Sequence, residues 1–480
     1  MTDRSYDFER FDSLFYPKHI AFIGASENSA LGSMLFLPAF KDSLWEDTFY
    51  PVNPKREKVL HWKSYSSVLD IPYPVDTAYV SLKTKFIPQV MRECVEKKVR
   101  WVIIFASGFS ETGNPEGKKL EQEVCEIIKD TETRVVGPNC LGPFNGSTGM
   151  TFAFNAVKGL EGSISFMSQS GGHLNQLLDV GYKRDIRFRY GISFGNQIDI
   201  NCLEMMRHYY YDPKTEIIVA YLESFGSANG HEVFLELKKI AKEKPVIIWK
   251  GGHTEDGSRA AFSHTGAIAS NARLWESLSK QTGAIITKDN EEWWNTMKTF
   301  ELLYPRYMPN GRNVGIITPG GGSSVNMTDL FASHDLRVPT LTQESQEEIS
   351  RILPDVNVIV ENPIDLGASG FVLDMFLECV KVVVEDPNID IIVIPLWSNH
   401  IYHYVFKRMT EIQKSTSKPF VFCLPSMADD EVLSTKFAKC KKVLHKNRSL
   451  YFLTLRDAGI ALSKYCDYIE FLKSRDLIKK

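Results

Sequence analysis

The sequence predicts an α/β protein with mostly parallel sheets, organised as three domains. Three observations carry this reading. Short apolar strands alternate with helical patterns, the strands end in loops rich in Gly, Ser, Asn and Pro, and the central and C-terminal parts repeat one another. A length of 480 residues fits about three domains of ~150 residues.

The first strand is His19-Ile-Ala-Phe-Ile-Gly-Ala-Ser26, after which the chain reaches Gly32 and a helix-like stretch through Phe40. Further strands are expected at Thr77–Leu82, Trp101–Ala106 and Thr133–Val136, with helices over Ile87–Lys97 and Gly117–Lys129. Ligands of such sheets sit at the carboxyl ends of the strands. The loops expected there are Gly-Ala-Ser-Glu-Asn-Ser-Ala-Leu-Gly (24–32), Tyr-Pro-Val-Asn-Pro-Lys (50–55), Phe-Ala-Ser-Gly-Phe-Ser-Glu-Thr-Gly (105–113) and Gly-Pro-Asn-Cys-Leu-Gly (137–142).

From about residue 160 the same grammar recurs twice, at an offset of roughly 150–175 residues. Ser163-Ile-Ser-Phe-Met-Ser-Gln-Ser-Gly-Gly172 pairs with Val314-Gly-Ile-Ile-Thr-Pro-Gly-Gly-Gly-Ser323, each a strand running into a glycine-rich helix start. Asn196-Gln-Ile-Asp199 pairs with Asn362-Pro-Ile-Asp365, Asp212–Glu223 with Asp386–Trp397, and Lys244–Trp249 with Lys418–Cys423. Four matches in one order indicate an internal duplication. The prolines and Asn-Gly of Tyr304-Pro-Arg-Tyr-Met-Pro-Asn-Gly311 mark a linker, so the expected domains are 1–150, 151–303 and 311–480.

Composition excludes several classes of partner. A net charge of −3 with dispersed basic residues leaves no footprint for nucleic acid or an anionic membrane. No apolar run approaches the ~20 residues of a membrane span, and Met1–Arg10 is polar, so a cytoplasmic protein is expected. The eight cysteines show no CxxC pair or His/Cys ligand spacing and read as reduced thiols, with no metal site implied.

The duplication separates chemistry from scaffold. His264 lies among small residues in Gly-Ser-Arg-Ala-Ala-Phe-Ser-His-Thr-Gly-Ala-Ile-Ala (257–269), on a loop preceded by Gly251-Gly252. An accessible imidazole is a nucleophile toward phosphoryl groups near neutral pH. The second copy has no such histidine, and it carries Trp397 where the first has Glu223. Glu223 ends an apolar strand, where its carboxylate can accept a proton from the far nitrogen of an imidazole. Ser168-Gln-Ser-Gly-Gly172 opens a helix, and backbone N–H groups there converge on an anion. Gly24-Ala-Ser26 is an imperfect dinucleotide fingerprint, Lys55 places a cation at the next strand end, and Cys140 reads as a packed residue in a tight turn.

Gly-Ala-Ser (24–26), Tyr-Pro-Val-Asn-Pro-Lys (50–55), Gly-Pro-Asn-Cys-Leu-Gly (137–142), Ser-Gln-Ser-Gly (168–171), Phe-Gly-Asn-Gln-Ile-Asp (194–199), Glu223, Ser-His-Thr-Gly-Ala (263–267) and Asn-Pro-Ile-Asp-Leu (362–366) occur in this order. Together they resemble the α subunit of ADP-forming acyl-CoA synthetases, relatives of the succinyl-CoA synthetase α subunit. The resemblance implies a Rossmann-like CoA-binding domain followed by two flavodoxin-like domains of the succinyl-CoA synthetase type. It implies that His264 is phosphorylated, that Glu223 is its partner, and that Ser168, Ser170, Gly171 and Gly172 bind the phosphate. CoA would contact Gly24, Ala25, Ser26, Gly32, Lys55, Phe105, Ala106 and Ser107.

The implied reaction is acid + CoA + ATP ⇌ acyl-CoA + ADP + phosphate, through phosphohistidine and an acyl phosphate. The sequence shows neither an ATP-grasp-like segment nor a G-x-x-x-x-G-K-[ST] loop. The family therefore implies a separate ATP-grasp β subunit that brings ATP, ADP and Mg²⁺, usually in an α2β2 assembly. Three departures bear on the acid: Thr318-Pro-Gly-Gly-Gly-Ser323 replaces the usual Asn-Ala-Gly-Gly start, His173 and Asn175 follow the Ser-Gln-Ser-Gly-Gly turn, and Phe262 is bulky beside the reactive loop. The alternatives are a non-catalytic CoA-binding or regulatory protein of the same fold, which the Glu223 and His264 pair argues against, and a nicotinamide-dependent oxidoreductase, which the imperfect glycine fingerprint argues against.

Overall fold

The computed structural model describes residues 7–27, 37, 40, 43–152, 160–252, 254, 256–257, 259, 272–318, 320–354, 358–396, 403–424 and 431–478. The chain divides into two compact units, Met1–Lys288 and Asp289–Lys480.

In the first unit, five parallel strands form a sheet in the spatial order Phe49–Val52, Ile20–Ile23, Thr77–Val80, Trp101–Ile104, Arg134–Val136. Helices Ile87–Glu96 and Pro115–Ile128 cover it, burying Ile87, Met91, Cys94 and Val124 against Val80, Val102 and Ile104. Asn114 caps the second of these helices and Pro115 opens it, a position where the missing N–H costs nothing. The sequence reading placed residues 50–52 within a 50–55 loop. They form a strand instead, and it is an edge strand, where a proline removes no ladder bond.

The second sheet of this unit runs Ile285–Thr287, Val246–Lys250, Ile217–Leu222, Glu161–Ser168, Phe188–Ser193, Gly142–Asn145. Only the last pairing is antiparallel. The sheet therefore takes its first strand from residues 142–145. The two sheets are tied by side chains. Arg134 donates to both carboxylate oxygens of Asp199 and to Glu204, and Asn196 Nδ2 donates to Glu111 and Glu121. The N-terminal segment stacks Phe15 on Tyr190 at 4.4 Å and on the buried ring of His208 at 5.4 Å.

The second unit contains a parallel sheet in the order Ile364–Asp365, Val314–Thr318, Ile391–Pro395, Phe420–Cys423, Leu450–Phe452. Its core joins Ile317, Ile392, Ile394 and Phe422 to Phe376, Val380 and Val383 of the helix Leu373–Glu385. The helix Asn290–Leu303, which the sequence reading grouped with the middle domain, clusters here. Its Glu292 pairs with Lys464 of the helix Leu455–Ser474 at 2.7 Å.

Taken in chain order, the parallel strands of all three sheets follow one arrangement, second-first-third-fourth-fifth. The internal repeat thus has a structural counterpart. Glu161–Ser168 leads into the helix Gly171–Val180 as Val314–Thr318 leads into Gly321–Ala332. The Asn-x-Ile-Asp match differs, because residues 196–199 follow the strand Phe188–Ser193 whereas Ile364–Asp365 is itself a strand. Among the described residues no helix is long and apolar enough to cross a membrane.

Candidate functional site

In this strand order the crevice lies where the order reverses, beyond the carboxyl ends of the first and third strands. In the second sheet those ends are Ser168 and Leu222, so Gln169 and Glu223 face each other across the switch point. Gln169 ties the two loops together. Its N–H donates to Tyr221 O at 3.2 Å, its Oε1 accepts the N–H groups of Glu223 and Ser224, and its Nε2 donates to Ser224 Oγ at 3.2 Å.

The helix Gly171–Val180 starts at the same place. Ser170 is its N-cap and accepts the His173 N–H at 3.3 Å, while Ser168 Oγ donates to Ser170 O at 2.7 Å and accepts the Ser170 N–H at 3.1 Å. The N–H groups of Gly171 and Gly172 belong to the first turn and have no intrahelical acceptor. Glycine keeps this turn bare: a Cβ on Gly171 would lie 3.1 Å from Leu141 Cγ, and one on Gly172 would lie 3.5 Å from Ser170 Oγ. N–H donors, the helix dipole and two serines therefore meet beside a carboxylate, an arrangement that suits a bound phosphoryl group.

Glu223 is 6% exposed, and its Oε1 accepts the Tyr221 hydroxyl at 3.1 Å. Tyr221 and Glu223 are two residues apart and share a strand face. The rings of His173 and Trp249 lie 4.2 and 4.9 Å from that of Tyr221, and burial holds the His173 imidazole below its ordinary range. Lys250, 3% exposed, donates to Gly251 O and lies 5.9 Å from the Trp275 ring; burial lowers its pKa while Glu223 opposes that shift. The chain leaves this strand end at Gly251-Gly252, and His264 lies outside the described residues.

The first sheet has its own switch point, between Ile23 and Val80. Gly24 turns there with φ of 91°, and a Cβ would fall 2.2 Å from Ser81 O, so glycine alone fits. Asn53 Nδ2 donates to Ala25 O at 2.7 Å and steadies this turn, with Ser26 half-buried next to it. Lys55 is exposed beyond the neighbouring strand, its N–H donating to Asn53 Oδ1. Phe105 stacks on Tyr79 at 6.1 Å, Ala106 O accepts the Asn139 N–H, and Ser107 O accepts the Thr84 hydroxyl. Gly32 lies outside the described residues.

Cys140 is buried, its Sγ 3.4 Å from Val136 O, and burial pushes its thiol up to about 12, which suits a packing residue. Sequence reasoning gave no role to Gln169, Tyr221, Lys250 or Asn53. Gln169 and Asn53 lie inside motifs already singled out, and Tyr221 precedes Glu223 by the two-residue period of a strand. Lys250 carries a weaker signal, a lysine ending an apolar strand.

A family model described as a CoA binding domain matches residues 18–145, and one described as a succinyl-CoA ligase like flavodoxin domain matches residues 161–300. The chain is 35% identical over 385 residues to the acetate–CoA ligase (ADP-forming) II subunit alpha of Pyrococcus furiosus, covering 80% of this chain and 81% of that one. An acetate–CoA ligase (ADP-forming) of Methanocaldococcus jannaschii is 33% identical over 367 residues; the match covers 76% of this chain and 50% of that longer protein. The solved structure of the Ca. Korarchaeum cryptofilum dinucleotide forming acetyl-coenzyme A synthetase 1, in complex with phosphate and ADP, is similar with a TM-score of 0.84 at 26% identity. That likeness covers 98% of this chain and 99% of the other.

Proposed function

The chain belongs to the family of ADP-forming acyl-CoA ligase α subunits, and on that premise we propose that it performs the acyl and phosphoryl transfers of acid + CoA + ATP ⇌ acyl-CoA + ADP + phosphate. A nitrogen of His264 attacks the γ-phosphorus and ADP leaves. A carboxylate oxygen of the acid then takes the phosphoryl group, breaking the N–P bond and restoring the imidazole. The CoA thiolate attacks the acyl carbon of the acyl phosphate, and phosphate departs with the C–O bond. Each step is reversible.

The observation that carries this reading is the convergence of Glu223 with the Ser168–Gly172 helix start at one switch point. Glu223 accepts the proton of the far imidazole nitrogen and so orients the nucleophilic one. Gly171 and Gly172 hold the phosphoryl group with their N–H groups and Ser170 with its hydroxyl, while Ser168 shapes the binding turn by bonding Ser170. CoA lies along Gly24, Ala25, Ser26, Gly32, Lys55 and the Phe105, Ala106, Ser107 turn. The functional domains in this reading are 1–150 for CoA, 151–303 for phosphohistidine and 311–480 for the second flavodoxin-like domain. The matched segments 18–145 and 161–300 support the first two.

ATP, ADP and Mg²⁺ enter through an ATP-grasp β subunit, the assembly is α2β2, and the site of action is the cytoplasm. Among the described residues no cluster of three or more His, Cys, Asp or Glu side chains is placed to hold a metal. The test is incubation of the chain, with and without an ATP-grasp partner, with γ-labelled ATP and Mg²⁺. Acid-labile, base-stable label on His264 that requires the partner is expected. An assembled complex that leaves His264 unlabelled overturns the reading.

A further inference from the structure

Tyr221 is held from three sides. His173 packs on its ring at 4.2 Å from the helix start, Trp249 meets it edge-on at 4.9 Å from the neighbouring strand, and Gly251 closes over its tip. The last approach is so near that a Cβ on Gly251 would fall 2.7 Å from the Tyr221 hydroxyl and 3.1 Å from Glu223 Cγ. A ring confined in this way keeps its hydroxyl in one place, and that place is 3.1 Å from Glu223 Oε1. Gln169 fixes the main chain of Glu223, so the two residues together restrain it at both ends.

We propose that Tyr221 is a positioning residue of phosphoryl transfer, which aims the Glu223 carboxylate at the histidine through a hydroxyl locked by His173, Trp249 and Gly251. The inference rests on the reading of Glu223 as the imidazole's partner. A carboxylate that receives a fixed donor on one oxygen has its plane set and presents its remaining acceptor sites in defined directions. Burial and the Glu223 charge both raise the Tyr221 pKa, so the phenol stays protonated and donating through the working pH range. The other titratable groups facing Glu223 include His173, whose imidazole burial shifts toward its neutral form, and Lys250, whose ammonium is turned onto Gly251 O.

The glycine at 251 follows from the same arrangement. Alanine there falls 2.7 Å from the tyrosine hydroxyl, and with Tyr221→Phe it still meets Cζ and Glu223 Cγ, each at 3.1 Å. Gly251→Ala therefore disturbs Tyr221 and Glu223 together.

The experiment runs the nucleotide-free half of the reaction on the full chain. Acetyl-CoA and ³²P-phosphate are mixed with the wild type, Glu223→Gln, Tyr221→Phe, Gly251→Ala and Tyr221→Phe/Gly251→Ala, and label on the histidine is followed in time over a range of acetyl-CoA concentrations. Tyr221→Phe is expected to slow labelling about tenfold at saturating acetyl-CoA, with the half-saturating acetyl-CoA concentration unchanged, since a fixed donor to the carboxylate has been lost. CoA affinity is unchanged, and the double variant, relieved of the 2.7 Å contact with the hydroxyl, is no slower than Gly251→Ala alone. A wild-type rate in Tyr221→Phe, alongside loss of label in Glu223→Gln, overturns the role of Tyr221 alone. Absence of label in the wild type both here and from γ-labelled ATP with the partner, or full label in Glu223→Gln, overturns the reading of the site itself.

Discussion

Gln169 accepts the backbone N–H of Glu223 on its side-chain oxygen, so the residue after one central strand fixes the residue after the next. The same oxygen takes the Ser224 N–H at 2.9 Å. Gln169 is 6% exposed, and the two N–H groups it satisfies lose their acceptor if it is removed. A buried donor left without a partner costs about 1–3 kcal/mol. Gln169→Leu should lower the unfolding free energy by about 2 kcal/mol and cut phosphoenzyme yield at least tenfold. Denaturant titration and phosphate labelling measure the two effects, and calorimetry should show CoA affinity unchanged.

In the proposed reading the nucleophile and the CoA site belong to different domains. His264→Ala should abolish acyl-CoA formation while leaving CoA binding intact, and Glu223→Gln should lower phosphoenzyme yield without abolishing CoA binding. Turnover assays with calorimetric CoA titration check both, and retained turnover in His264→Ala removes the histidine from the mechanism.

At the first switch point the backbone is the constraint. Gly24→Ala puts a methyl group against Ser81 O at a φ of 91° that alanine rarely adopts. A shift of the 24–27 turn follows, with a stability loss of about 1–3 kcal/mol. CoA affinity should fall at least tenfold, whereas labelling of His264 from γ-labelled ATP, a step that does not use CoA, should persist. CoA binding at wild-type strength would detach this turn from the cofactor site.

The N-terminal segment makes stability depend on pH through His208. Burial pushes its imidazole down to about 3 from an ordinary 6.5. Below the ordinary value the unfolded chain takes up a proton that the folded chain refuses, so stability falls as pH drops from about 6.5 to about 3. His208→Phe keeps the stack on Phe8 and Phe15 but cannot titrate. Thermal midpoints measured across this window should decline less steeply in the variant than in the wild type, and equal slopes would remove His208 as the cause.

The sequence by itself determined the α/β class and the repeat and marked the candidate residues of the chemistry, because each is read from short stretches of chain. Strands are apolar runs, helix starts are small and capped, and a histidine among glycines and alanines is visible without coordinates. The strand over residues 50–52 was hidden for a physical reason, since only the sheet order shows that it is at an edge. The side of the sheet boundary on which Gly142–Asn145 belongs was equally hidden, because four residues carry no mark of the partner strand they will meet. What tertiary structure decided was convergence. Ser168 and Leu222 are far apart in the chain, and their loops meet because parallel pairing of their strands puts both carboxyl ends at one reversal of strand order. Gln169, Tyr221 and Gly251 acquire their roles only there, since a hydrogen bond or a close approach depends on distances through space that no spacing along the chain specifies.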